Sequence, residues 1–191
     1  GGVLLLGFLM AALFAPLLSP YDPLAQDLYN RLQPPSLGHP FGTDDFGRDI
    51  LSRVIYGSRI SLRIGLVAVV IALALGTSIG LVAGYWGGLL DLVLMRLMDL
   101  LLAFPSILLA IGIVAILGPG LENAMLAIGL VAVPQYARLV RASALSVREM
   151  DYVQASRALG AGHARILLVA ILPNCLAPLI VQATLGLATA I

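Results

Sequence analysis

Long stretches without a single charged residue decide what this chain can become. Residues 64–83, 100–121 and 166–191 contain no Asp, Glu, Lys or Arg. A helix rises roughly 1.5 Å per residue, so about 20 apolar residues cross a hydrocarbon core about 30 Å thick. Residues 123–137 form a shorter uncharged run, long enough if its helix continues toward Leu145. A fifth apolar run, residues 3–18, is followed by Ser19-Pro20-Tyr21-Asp22-Pro23 and not by a small-residue cleavage site. It therefore reads as a truncated membrane span and not as a signal peptide. The predicted fold class is all-α, a polytopic transmembrane helical bundle with five spans. The chain opens at Gly1 inside one apolar run and stops at Ile191 inside another. It is expected to be a piece of a longer protein.

Composition narrows the chemistry. The chain is 60% hydrophobic and 11% charged, where soluble domains carry about 25% charged residues. A net charge of +1 offers no electrostatic case for binding nucleic acid. All eleven basic residues are Arg. A Walker A loop needs a lysine to reach the terminal phosphates, so this sequence holds no such ATP site. No His, Cys or acidic cluster has metal-ligand spacing, and His39 and His163 read as surface or interface residues. Cys175, the one cysteine, reads as a small packing residue. Charge-free spans offer an intramembrane hydrolase no paired carboxylates, and no catalytic residue is assigned.

Ala68, Ala72, Gly76, Gly80 and Gly84 recur every fourth residue along the second span. Small residues at that spacing make a ridge against which another helix backbone can pack closely. Between the first two spans, the prolines at 20, 23, 34, 35 and 40 predict an irregular surface loop. A separate amphipathic helix is expected over residues 43–56. Thr43 or Asp44 would cap it, Asp49 and Arg53 would pair across one turn, and it would lie in the membrane interface. After the fourth span, Ser146 and Glu149 fit a capping box that opens a short helix, and Gly160 suits its left-handed end. Asp91, Arg96 and Asp99 flank the start of the third span, either as a gate on a polar path or as a helix-end ion pair. Pro105, Pro173 and Pro178 predict kinks. Arginines divide equally between residues 19–63 and 138–165, so the positive-inside rule barely decides orientation.

Two motifs point to a family. Tyr152-Val153-Gln154-Ala155-Ser156-Arg157-Ala158-Leu159-Gly160, with Ile171-Leu172-Pro173-Asn174 downstream, resembles the EAA loop of binding-protein-dependent ABC importer permeases. Gln154-Ala155-Ser156 departs from the Glu-Ala-Ala triplet at its first and third positions. His39-Pro40-Phe41-Gly42-Thr43-Asp44-Asp45-Phe46-Gly47-Arg48-Asp49, continuing through Tyr56-Gly57-Ser58-Arg59, is similar to the C-type permease subunits of dipeptide, oligopeptide and nickel importers. Gly84-Tyr85-Trp86-Gly87-Gly88 and the run from Met95 to Pro105 are similar to the same subunits.

The resemblance implies an ABC importer permease bundle of the MetI-like type in the cytoplasmic (inner) membrane of a prokaryote. Five of its six spans would be present, with both termini cytoplasmic. Residues 1–18 would be the first span, 19–63 an extracytoplasmic loop and 64–191 the permease core, with a cytoplasmic coupling loop at 146–165. Tyr152, Gln154, Ala155, Ser156, Arg157, Leu159, Gly160, Leu172 and Pro173 would couple to the ATPase. The implied partners are a second homologous permease, two ABC ATPase subunits carrying ATP and Mg, an extracytoplasmic substrate-binding protein and the lipid bilayer. The expected cargo is di- or oligopeptides. Nickel or its chelates, glutathione or another small solute is the alternative. An ion-coupled carrier or channel would need an ionisable relay through several spans, whereas this sequence offers the 91, 96 and 99 trio at one helix end.

Overall fold

The computed structural model describes residues 2–190; Gly1 and Ile191, the outer ends of the first and last expected spans, lie outside the described residues. The chain divides into two compact units, residues 1–64 and 65–191.

The first unit begins with α1 (Gly2–Leu13) and α2 (Ala15–Leu18). The expected first span is therefore interrupted. The break falls at Phe14, and Pro16, which has no N–H to donate, sits in the first turn of α2, where none is needed. The segment that follows is knitted together, not irregular. Thr43 donates its amide to the Gln33 carbonyl (3.1 Å) and its hydroxyl to that of Asn30 (2.5 Å), while its Oγ1 accepts from the Gln33 amide (2.8 Å). Gly47 has φ +72°, and a Cβ there would stand 1.7 Å from the Asp27 carbonyl oxygen, so only glycine fits.

The helix expected from residue 43 begins instead at Ile50 and does not stop at 56. α3 runs unbroken over Ile50–Trp86. Residues 43–49 are spent on a turn and on a bridge between Thr43 and Asp49. Asp49, and neither Thr43 nor Asp44, supplies the cap, accepting from the Ser52 amide (2.7 Å) and hydroxyl (2.6 Å). Its other oxygen faces His39 Nδ1 at 3.0 Å. That occupancy explains why Asp49 does not pair with Arg53, which turns to Asp44. No proline interrupts residues 50–86, so the interfacial helix and the span merge.

The second unit holds the rest of α3, then α4 (Gly88–Leu102), α5 (Ser106–Leu117), α6 (Leu121–Arg148), α7 (Asp151–Ala158), α8 (His163–Arg165), a π-helical stretch (Ile166–Ile171) and α9 (Leu172–Ala190). Among the described residues, Ile50–Trp86, Leu121–Arg148 and His163–Ala190 are long and apolar enough to cross a membrane. The expected third span, 100–121, is not one helix: α4 and α5 meet at 95°. Pro105 cannot donate to the preceding turn and pushes Phe104 out of helical backbone, which turns the expected kink into a break. Asp91, Arg96 and Asp99 lie inside α4, not at its edge. The fifth span winds as a π-helix just before Pro173, while Pro178 sits within α9.

Helix α6 carries the core. Tyr136, Val140, Ala144 and Val147 pack with Tyr85 of α3, Val153 of α7 and Ile166, Ile171 and Cys175 of the last helix. Its approach to α3 is close. A Cβ at Gly76 would lie 2.5 Å from Tyr136 Cβ, one at Gly80 2.4 Å from the Ala137 carbonyl oxygen, and one at Gly84 2.7 Å from Ala144 Cβ. Ala68 and Ala72, earlier on the same ridge, are buried.

Gly80→Ala should therefore destabilise the protein by about 1–3 kcal/mol, the usual cost of overpacking, whereas Gly112→Ala, whose added Cβ meets nothing within 4 Å, should be neutral or stabilising. Thermal unfolding in detergent compares the two. A second expectation concerns pH. Burial pushes the Asp44 carboxyl up, but the amides of Arg48 and Phe46 and the Arg48 guanidinium outweigh it and hold the group at about 2. The stability this lends is complete above the ordinary value of 3.8 and is lost as pH falls toward about 2. Hydrogen-exchange protection of the Phe46 and Arg48 amides should drop across that window, and Asp44→Asn should abolish the dependence.

Candidate functional site: the helix between two spans

α7 is a short helix hung between two long apolar ones. Its start is not the expected capping box. Ser146 still lies inside α6, with its hydroxyl turned back to the Ala142 carbonyl (3.3 Å), and α6 runs on to Arg148. Met150 occupies the cap position of α7 without a side-chain bond. Asp151 in the first turn and Arg157 in the last suit the helix dipole. The far end closes as a Schellman motif: the Ala161 amide reaches the Ser156 carbonyl (3.1 Å) and the Gly160 amide that of Arg157 (3.0 Å). Gly160 is left-handed, with φ +78°.

One residue anchors the helix. Val153 is completely buried in the core beside α6. Around it lie polar ties. The Tyr152 hydroxyl donates to the Ala170 carbonyl (3.4 Å) and accepts from Asn174 Nδ2 (3.0 Å). Gln154 Nε2 donates to the Arg148 carbonyl at 3.3 Å. The Ser156 hydroxyl returns to the Tyr152 carbonyl (2.7 Å) and faces only partly outward. The Arg157 guanidinium lies 5.7 Å from the centre of the Tyr85 ring, whose hydroxyl is 2.7 Å from His163 Nδ1. The remaining surface is open: Tyr152, Gln154, Ala155, Arg157 and Gly160 are exposed, and Leu159 is 88% exposed. Downstream, Leu172 packs against the core and Pro173 is exposed.

A line of ion pairs joins α4 and α6. Arg141 grips Asp91 with two nitrogens, at 2.5 and 2.6 Å. Arg138 holds Asp99 at 2.6 Å, while Arg96 stands 4.0 Å from that carboxylate. Asp91, Asp99, Arg138 and Arg141 line an open groove of about 500 Å³. Arg148 donates to the Gly84 carbonyl (2.9 Å) and pairs with Glu149 (2.8 Å).

Residues 76–191 match the family described as binding-protein-dependent transport system inner membrane component, and residues 1–35 match the N-terminal TM domain of oligopeptide transport permease C. The chain belongs to this permease family. Over its whole length it is 53% identical to a dipeptide transport system permease protein of Alkalihalophilus pseudofirmus and 48% identical to one of Haemophilus influenzae. It spans 63% of the first relative's length and 67% of the second's. A crystal structure of an amino acid ABC transporter with histidines is similar in fold, with TM-score 0.53 and 21% identity over 74% of this chain and 73% of that one. Membership and three long apolar helices make the chain a multi-pass inner-membrane protein. That family is one of transport-system inner membrane components.

Sequence reasoning singled out the outward face of α7 and passed over its anchor. Val153 is the one aliphatic side chain between the polar Asp151 and Gln154, and that contrast is the available signal. Tyr85, Arg138 and Arg141 come from other helices, and no spacing in one dimension links them to their partners. Among the described residues, no three His, Cys, Asp or Glu side chains gather as a metal site. Val153→Ala should cost about 1–3 kcal/mol as a buried truncation, and Leu159→Ala should change stability by less than about 0.5 kcal/mol. Denaturant unfolding of the two variants separates the anchoring face from the free one.

Proposed function

We propose that the protein is the translocation subunit of an ABC importer, carrying di- and oligopeptides across the inner membrane while separate ATPase subunits hold ATP and Mg. Its partners would be a second, homologous permease, two ATPases on the cytoplasmic face and an extracytoplasmic binding protein. The observation that carries the reading is α7. It is a rigid helix closed at its C-terminal end, fixed to the span core by one buried valine and the Tyr152 hydroxyl, with most of its remaining surface exposed. Such a helix can take a push without unwinding. The names of the similar dipeptide permeases support the choice of cargo.

In this reading Tyr152, Gln154, Ala155, Ser156, Arg157, Leu159 and Gly160 form the coupling surface, with Leu172 and Pro173 behind it. Small side chains at 155 and 156 let the helix seat in an ATPase groove, and the bare apolar Leu159 offers contact area. Gln154 forms a neutral contact where the family has an acid. Closure of the ATPase pair around ATP then moves α7 and α6 as a body. The glycine ridge of α3, against which α6 packs, carries that movement across the bundle.

The test is ATP hydrolysis and uptake by the full-length protein, assembled with its cognate partners in lipid discs and vesicles. Dipeptides and short peptides should stimulate hydrolysis, and nickel chelates should not. Ala155→Asp and Gly160→Pro should each cut coupled uptake by about tenfold or more, a usual size for a lost coupling, while the protein still inserts in the membrane. Normal uptake by both variants sinks the coupling assignment. Stimulation by nickel alone changes the cargo and keeps the machine.

A further inference from the structure

α4 occupies an unusual mechanical position. Its only covalent link to α3 is the pair Gly87 and Gly88, both in left-handed backbone with φ +66° and +59°. A Cβ at Gly88 would meet nothing within 4 Å. The junction's own two residues carry no side chain, and the Arg148 guanidinium of α6 packs beside Gly87. At the other end α4 stops at the Pro105 break, where α5 turns away by 95°. A helix so loosely tied at both ends takes its position from what it packs on, and that is α6. The apolar part of this contact is small: Met98 is buried against Val133 and Ala137, with Met95, Leu101 and Ile79 of α3 beside it. The rest is ionic, the forked Arg141–Asp91 pair about two turns and the Arg138–Asp99 pair about three turns from the coupling end of α6.

The two pairs are unequal. Arg138 and Asp99 are about half exposed, and such pairs contribute little. Asp91 is only 15% exposed and is held in a two-point grip. Forked guanidinium–carboxylate contacts fix orientation as well as distance. Arg141 also lies on the stretch of α6 between the Tyr136–Val140 core and the start of α7. Whatever displaces α7 moves the Arg141 backbone with it.

We infer that Arg141 and Asp91 are positioning residues that lock α4 to the coupling end of α6, so that displacement of α7 is delivered through α4 to the Pro105 bend. Neither residue touches cargo or nucleotide in this scheme. The pair is a clutch between the ATPase-facing helix and the part of the bundle where the backbone is already broken. Removing either charge releases α4 while leaving the α3–α6 glycine contact and the Val153 anchor whole.

The transport readout of this inference rests on the peptide-importer reading above; its distance readout does not. In the full-length, fully assembled transporter, Asp91→Asn and Arg141→Gln should lower peptide taken up per ATP hydrolysed by about tenfold, with ATP hydrolysis retained. The exchanged pair, Asp91→Arg with Arg141→Asp, should recover most of the loss. Unchanged coupling in both single variants would overturn the inference, and so would hydrolysis and uptake falling together. Independently, spin labels at the exposed positions Val93→Cys and Ala142→Cys, in a Cys175→Ser background, report the α4–α6 distance. It should be narrow and unaffected by ATP in the native pair, and broad or ATP-dependent in Asp91→Asn. Identical distributions would also overturn it. A wild-type transporter that shows no ATP-driven uptake would defeat the functional reading instead, and the distance experiment would still decide the clutch.

Discussion

The close approach of α3 and α6 is the contact on which the second unit depends. Lipid offers no hydrophobic drive for two apolar helices to associate, so packing has to supply the attraction. Three glycines on α3 bring its backbone against Tyr136, Ala137 and Ala144 at distances that a methyl group would fill. Once that seam exists, α6 presents Tyr136, Val140, Ala144 and Val147 to a single core, and Val153, Ile166 and Ile171 close on it. The short helix α7, the broken third segment and the proline-bearing last helix are all placed by reference to α6.

Against this rigid seam the proline sites are places of give. Pro105 separates α4 from α5 outright, because a lost backbone bond at mid-bundle is cheaper to leave as a turn than to strain. Pro173 sits just after a π-helical stretch, and the carbonyl of Ala170 in that stretch is taken up by Asn174 and Tyr152. Tyr152 thereby ties α7 to the irregular part of the last helix while Val153 ties it to the core carried by α6. A helix joined to both is well placed to pass movement from one to the other.

The first unit is held by polar bonds more than by a core. Asp44 and Asp49 do different work there although they stand five residues apart. Asp44 gathers the Arg48 and Arg53 side chains around a tight turn, and Asp49 starts α3 while meeting His39. Reading the sequence as a helix from residue 43 made Asp44 a candidate cap and paired Asp49 with Arg53. The turn at Gly47, imposed by contact with the backbone of Asp27, is what parts them.

Hydropathy, turn residues and motif spacing alone determined that the chain is a helical membrane protein, where its apolar segments lie, the small-residue ridge on the second span and the short helix ended by Gly160. These are local properties, set by one residue type or by a period along one helix. Where two local rules competed, the sequence could not arbitrate. Pro105 read as a kink and is a break, Ser146 read as a cap and is helical interior, and residues 50–86 read as two helices and are one. Tertiary structure alone decided the partners of charged and buried groups. Asp91 finds Arg141 and Asp99 finds Arg138 because the Gly87–Gly88 turn folds α4 back on α6, and Val153 is buried because α6 and the last helix converge beneath it. Pairings across so many residues follow from how helices pack, and packing is fixed by the sum of many contacts that no one-dimensional pattern records.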